Sequence, residues 1–421
     1  MQKFYVFILL FLWCTPSVRA QTREAAAFDQ SKFVPDIAFI LDVSGVARNI
    51  ADQRFYSLEI PGFSFPVANP TGSSGLNAHR GLNFNYGELS IFSVVDPYFD
   101  LFAVLSLSPE SAGLEEAYVT TRKLPYGFQL KVGKFLASFG RINEQHEHYW
   151  DFADRPLIAT AIFGEEGLNE IGAQVTWVAP TTTYLMIGAE VLNGENEQSF
   201  GTTGISDPNG QVSLQAVQGP DLAIGFIRSS FDIENASVLL GVSNAWGGTR
   251  IDQGFSTSEG GGHAVDAQTD IIGGDLTVKY SLDAIRYLSF QTEYMYRMVS
   301  GTVYSRDSIA VASMSLDKHH SGFYAQCVVK LDQLWRAGVR YDRILQNEVT
   351  LETAGQQMPS ALTRLAAMIE YSPTEFSRIR LQVERDESLG LQALQVWTMQ
   401  PYTQLILQAN FTIGAHGAHA F

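Results

Sequence analysis

Short runs in which apolar and polar residues alternate one for one recur along this chain, a pattern that commits it to β-structure before anything else is considered. Ile37, Phe39, Leu41 and Val43 alternate with Ala38, Ile40, Asp42 and Ser44. Ile171, Ala173, Val175 and Trp177 enclose Gly172, Gln174 and Thr176. The same holds for Phe290 to Met298, for Phe323 to Val329 and for Leu405 to Ile413. A period of two is the period of a strand, whose successive side chains point to opposite faces. One such run also fits a half-buried strand of a soluble sandwich. Their recurrence over the chain predicts a large antiparallel sheet.

The spacing between runs is more specific. Tight connectors fall at Asp96-Pro97-Tyr98, Leu124-Pro125-Tyr126-Gly127, Ala179-Pro180-Thr181, Asp232-Ile233-Glu234-Asn235, Leu282-Asp283-Ala284, Leu331-Asp332-Gln333 and Ser372-Pro373-Thr374. Between them lie longer polar or glycine-rich stretches at 48–81, 140–167, 193–220, 247–269, 300–318, 346–360 and 387–403, and a shorter one near 108–113. Turns alternating with loops in this way imply one rim of tight turns and one of long loops, as in a transmembrane barrel. Closure is then obligatory, because an open edge would leave N–H and C=O groups unpaired in hydrocarbon. The expectation is an all-β, transmembrane, antiparallel up-and-down β-barrel of about 16 strands over residues 35–421. Outer-membrane lipid would cover its outside, with short periplasmic turns and long outer loops. Residues 361–370 also fit a helical period, with Leu362, Leu365, Ala366 and Ile369 on one face. The connector count favours a strand, with Leu365, Ala367, Ile369 and Tyr371 outward. Tyr98 and Phe99, Tyr126 and Phe128, Trp177 and Tyr184, and Tyr280 and Tyr287 flank tight turns, where an interfacial aromatic girdle is expected.

Residues 1–20 read as a cleaved signal peptide: Lys3 starts it, Phe4 to Trp13 is apolar, and Val18-Arg19-Ala20 offers a cleavage site. Residues 21–34 form a short N-terminal segment. Cys14 suggests a lipoprotein instead, but Trp13 is too bulky for the position before a lipidated cysteine. Without Cys14 only Cys327 remains, so no intrachain disulfide is expected. Twenty-eight basic against 44 acidic residues argue against a nucleic-acid partner. The address is the outer membrane of a Gram-negative bacterium, and the terminal Phe421 would serve as the signal read by the outer-membrane assembly machinery.

The loop at 140–167 differs from the others. It carries Glu144, His146, Glu147, His148, Asp151 and Asp154 among Tyr149, Trp150 and Phe152, a mixture that favours folding back into the lumen. Arg340, Arg364, Arg378 and Arg380 fall on inward positions of late strands and would supply a basic lumen wall. Opposed charges across a narrow aperture would select polar solutes. Ordinary wall charges of a wide channel are the plainer alternative. His146 and His148 form a His-x-His that could take zinc, although two ligands do not complete a site. His319 and His320 could join them, whereas His416 and His419 belong to the other end. No nucleophile elbow, zinc-protease helix or phosphate loop is present, so no enzyme and no catalytic residue is expected.

The stretch from Lys131 to Pro156 resembles a porin-like proteobacterial family whose members are often labelled zinc-regulated TonB-dependent outer-membrane receptors. Phe33 to Asp42, Ile60 to Phe63 and Gly414 to Phe421 resemble it too, so the likeness spans the barrel. The first strand follows soon after the signal peptide and leaves no room for a plug. The resemblance therefore implies a porin-like fold rather than energised transport. In general porins of sixteen strands, which this chain resembles in strand count, the loop after strand five constricts the pore and sets acidic residues against a basic wall. The function expected is passive diffusion of small hydrophilic solutes or ions, with no cofactor beyond the zinc considered above. Assembly as a homotrimer, as in general porins, is open to such a barrel. The alternative is an outer-membrane uptake receptor for a metal or a metal chelate.

Overall fold

The computed structural model describes residues 34–63, 75–109, 111–196, 198–257, 262–306, 311–352, 354–359, 362–393 and 396–414. Residues 1–20, read above as a signal peptide, and Phe33, His416, His419 and the terminal Phe421 lie outside them. Sixteen antiparallel strands follow in chain order: β1 (Asp36–Arg48), β2 (Gly81–Val94), β3 (Phe99–Leu107), β4 (Ala112–Thr121), β5 (Phe128–Leu136), β6 (Asn169–Val178), β7 (Tyr184–Leu192) and β8 (Leu222–Ile233). The second half comprises β9 (Ala236–Gln253), β10 (Gly262–Ser281), β11 (Tyr287–Arg306), β12 (Val311–Lys330), β13 (Trp335–Leu351), β14 (Leu362–Thr374), β15 (Ser377–Asp386) and β16 (Tyr402–Gly414). Each strand pairs with the next, and β16 returns to β1 from Ala38 opposite Gly414 to Arg48 opposite Gln404. The sheet is a closed barrel of the outer-membrane type.

The period-two reading sets the faces. In β1, Ala38, Ile40, Asp42 and Ser44 are buried inside while Ile37 is exposed outside. In β16, Gln404, Gln408 and Asn410 face in, and Leu405, Leu407, Phe411 and Ile413 face out. Residues 362–374 are a strand: burial alternates through Arg364, Ala366, Met368 and Glu370, and the pairings to β13 and β15 decide against the helix. Three of the tight turns share one device. Asp96 accepts the N–H groups of Tyr98 and Phe99, Asp283 those of Ile285 and Arg286, and Asp332 those of Leu334 and Trp335, all at 2.7–2.9 Å. A carboxylate at the turn's start thus replaces the strand partner that these N–H groups lack. With Arg286 beside it as well, the Asp283 carboxyl is held down to about 2.

Two expectations are corrected. The loops at 247–269, 300–318 and 346–360 are much shorter than their polar, glycine-rich sequence suggests, because the ladder continues through most of each. Strands β10, β11 and β12 have 20 residues each, against about 9–11 needed to cross a bilayer. At about 3.3 Å per residue and a tilt of about 45° they rise roughly 47 Å, well beyond the hydrocarbon. Outside the membrane a strand no longer needs apolar outward residues, so composition gives no warning that it continues. Tyr287 is the second correction. It lines the lumen beside Lys279 instead of joining the outer aromatic belt, where Tyr98, Phe99, Tyr126, Phe128, Tyr184 and Tyr280 are exposed.

The outer face makes a direct prediction. Leu407 sits mid-strand on β16 and is half exposed. Leu407→Arg is expected to lower stability by about 2–4 kcal/mol if that face meets hydrocarbon. A urea titration of the barrel folded into lipid vesicles measures it, and an unchanged midpoint would contradict the placement.

Candidate functional site

Residues 137–168, which join β5 to β6, turn into the barrel and cross it. The Gly140 N–H donates to Ser243 on β9, Ile142 to Glu293 on β11, Ala153 to Gln382 on β15 and Leu157 to Asp342 on β13, at 2.7–3.2 Å. Acceptors on such distant strands are all within reach only of a segment lying across the lumen. Two short helices matter here: α1 (Asp52–Phe55) in the first loop, and α2 (Leu157–Phe163) inside this one. Pro156 opens α2 and Gly164, at φ +80°, closes it. Leu157, Ile158, Ile162 and Phe163 are fully buried among Phe139, Phe135 and neighbours, and α2 packs on β11, β12 and β13. At about 1.5–3 kcal/mol each, these four side chains alone supply roughly 6–12 kcal/mol that seats the loop on one side of the lumen.

Charge fixes the rest of the loop. Asp154 is gripped by Arg340 and by Arg364 (3.0 Å), with the Gln382 amide at 2.6 Å. Arg340 and Arg364 also hold Asp342 (2.9 Å) and Asp386 (2.7 Å). Asp151 pairs with Arg336 at 2.9 Å, and Arg336 with Glu370 at 2.7 Å. Glu144 pairs with Arg228, whose guanidinium also donates to the Gly140 carbonyl. Arg380 donates to the Trp150 carbonyl at 2.7 Å and pairs with Glu370, which Arg378 also approaches at 3.6 Å. Burial alone would push the Asp154 carboxyl up, but Arg340, Arg364 and Gln382 hold it below its ordinary 3.8.

The loop histidines face the opposite sign. His146 Nε2 lies 2.8 Å from Glu116 on β4, and its Nδ1 lies 3.1 Å from Glu115 and 3.7 Å from Glu88 on β2. His148 Nδ1 reaches the same Glu88 oxygen at 3.1 Å. Burial would lower the His146 pKa, yet Glu115, Glu116 and Glu88 together raise it well above 6.5. Burial, then Glu115, pushes Glu147 up to about 7, and burial brings Arg155 down to about 10.

Two cavities flank the segment Trp150 to Asp154. One, of about 680 Å³, opens at the tight-turn rim and is lined by Arg141, Glu144, Tyr149, Asp151, Lys279, Arg336 and Arg378. The other, of about 110 Å³, lies on the long-loop side among Arg48, Asp154, Arg155, Arg364, Glu384 and Tyr402. Asp151 lines the first and Asp154 the second, each paired with arginines of the wall.

The structure thus brings Asp151 and Asp154 onto the arginine wall, but sends His146, His148 and Glu147 to the other side and Glu144 to β8. His319 and His320 do not join the loop histidines: His319 meets the Tyr296 hydroxyl at 2.9 Å, and His320 stacks on Phe63. Sequence reasoning missed Arg228, Arg336, Glu88, Glu115 and Glu116. Arg336 and Glu88 share the inward parity of Arg340 and Tyr86 and were findable. Glu115 was not. Val104 faces Glu116 and Leu105 faces Leu114, so Glu115 is the extra residue of a β-bulge and escapes the alternation.

No family model matches the chain. An uncharacterized protein of Aquifex aeolicus (strain VF5) is 44% identical over 403 residues, 96% of this chain and 83% of that one. The chain belongs to the same family as that protein. Among solved structures, the anion-selective porin from Comamonas acidovorans covers 90% of this chain and 100% of its own, with a TM-score of 0.52 at 10% identity. A loop-deletion mutant of OmpT, an outer membrane protein of Vibrio cholerae, covers 90% and 99% with a TM-score of 0.51 at 8% identity. At such identities the likeness is one of fold. The fold is porin-like, and the zinc-regulated TonB-dependent receptor label finds no support in these comparisons.

Asp154→Asn would leave Arg340 and Arg364 short of a carboxylate at a site that is largely buried, and is expected to cost about 3 kcal/mol. Denaturant titration in vesicles checks this, and a loss below about 0.5 kcal/mol would mean the contact is not needed. The pH dependence has a definite sign. A depressed folded-state pKa contributes stability that is complete above the unfolded value and is lost as pH falls through the folded one. This contribution of Asp154 is therefore expected to persist down to about pH 4 and to fade below it. The stability difference between the wild type and Asp154→Asn, from denaturant titrations repeated at several pH values, should hold from pH 7 down to about pH 4 and shrink below it, and a difference already gone near pH 6 would contradict this.

Proposed function

We propose that this protein is a channel of the bacterial outer membrane through which small hydrophilic solutes or ions diffuse passively, with loop 140–167 as the constriction. The observation that carries the reading is the loop itself, laid across the lumen between two cavities, with charged side chains of both signs around it. The larger cavity presents Arg141, Lys279, Lys330, Arg336 and Arg378 against Glu144, Asp151, Glu370 and Glu375. Opposed charges in a confined, low-dielectric passage order water and favour polar over apolar solutes. Glu144, His148, Asp151 and Asp154 of the loop are engaged with side chains of the barrel wall, which supports a channel over an enzyme. On this reading residues 1–20 direct export, Phe421 addresses the assembly machinery, the tight turns face the periplasm, and the barrel is suited to a homotrimer.

Recording in planar bilayers tests the proposal. The purified protein should give discrete ohmic conductance steps without any energy source. A folded barrel that stays silent while binding zinc would sink it in favour of an uptake receptor for a metal or metal chelate. Asp151→Asn removes one carboxylate and leaves Arg336 to Glu370 alone. In a salt gradient the reversal potential should then move by several millivolts toward the anion side. An unchanged potential would show that Asp151 does not border the path.

A further inference from the structure

The acid-facing side of the constriction loop carries a feature that fastening does not require. His146 is buried, and its Nδ1 has no hydrogen-bond partner although Glu115 Oε1 lies 3.1 Å away and Glu88 Oε2 3.7 Å away. The distance to Glu115 suits a hydrogen bond but the direction does not. A proton on Nδ1 needs a nearly straight path to its acceptor. A metal ion needs something else: donors that converge on one point from different directions.

We propose that His146 Nδ1, Glu88 and Glu115 form a binding site for a divalent transition-metal ion of the zinc class, inside the lumen where the constriction loop meets β2 and β4. The three donor atoms all lie within 4.8 Å of one another. For bonds of about 2.1 Å in tetrahedral geometry, neighbouring donors sit about 3.4 Å apart. The two distances measured from Nδ1, 3.1 and 3.7 Å, bracket that value. One imidazole with two carboxylates is a donor set that zinc accepts, and three protein ligands leave a position for water or solute.

The surroundings fit the same assignment. His146 Nε2 is held at 2.8 Å by Glu116, whose other oxygen accepts the Leu136 N–H at 2.8 Å. That carboxylate fixes the ring and keeps a hydrogen on Nε2, so that an ion displacing the proton from Nδ1 meets a lone pair already aimed at it, as the outer partners of metal-bound histidines arrange. His148 Nδ1 holds the Glu88 oxygen at 3.1 Å and so orients a second ligand. The Glu115 side chain reaches the cluster because of the bulge in β4. The ion would tie loop to wall on the side that has no arginine in these contacts. The site goes beyond the channel reading and does not depend on it.

The test uses the whole folded barrel in detergent, stripped with a chelator and titrated with Zn²⁺ by calorimetry and with Co²⁺ by visible absorption. Wild type should bind one equivalent, with the intense visible bands of four- or five-coordinate cobalt. Glu115→Gln and His146→Ala should each weaken binding at least tenfold. Glu116→Gln, which alters only the positioning of the ring, should weaken it about 10–100-fold, and His319→Ala should bind as wild type. Glu115 is only half-buried, so its variant reads the site even if His146→Ala fails to fold. Folded wild type that takes up neither metal, or variants at 115 and 146 that bind as tightly as wild type, would overturn the assignment.

Discussion

Everything in this molecule depends on the closing of β16 onto β1. In hydrocarbon an unpaired backbone N–H or C=O costs several kcal/mol, so a sheet of sixteen strands is stable there only as a ring. Closure fixes the rest of the geometry. It separates an outer face, where Leu405, Leu407 and Phe411 meet lipid, from an inner one, where Gln404, Gln408 and Asn410 do not. It also encloses a lumen wide enough to take a folded loop, and its rigid wall lets widely spaced side chains from β2, β4, β8, β11, β13 and β15 meet on that loop.

Within that ring the loop at 140–167 behaves as a strut. Its apolar helix is buried on one side, its aspartates meet arginines on another, and its histidines meet glutamates on a third. Buried pairs of this kind add little net stability over apolar packing, since desolvation offsets much of the attraction, but breaking one partner is costly. Their value here is specificity of position. Asp154 shares Arg340 and Arg364 with Asp342 and Asp386, so moving the loop leaves several charges unmatched at once. On the proposed reading, the aperture that such a strut borders keeps a fixed arrangement of charge.

How much of this could be read in the sequence follows from the period of each signal. Two-residue alternation marked the membrane-spanning parts of β1, β6, β11, β12 and β16 and the inward parity of Arg340, Arg364, Arg378 and Arg380, because lipid on one side and water on the other impose it. The alternation fades where β10 to β12 leave the bilayer, so Gly262 to Thr269 and Val311 to Lys318 looked like loop. A bulge breaks the parity outright, which hid Glu115. Tyr287 was misplaced because an aromatic near a turn is equally at home in a girdle or a lumen. Nothing local could reveal that His146 and Asp154, eight residues apart, face walls of opposite sign; that depends on where the loop crosses the barrel.

The central claim is that the loop across the lumen sets the aperture of an open channel. Its most direct test compares single-channel conductance of the wild type with that of a variant in which residues 144–163 are replaced by a short Gly/Ser linker. A several-fold rise in conductance, with loss of discrimination between small and larger polar solutes, is the result this account predicts. Equal conductance in the two barrels would contradict it, because the loop would then obstruct nothing.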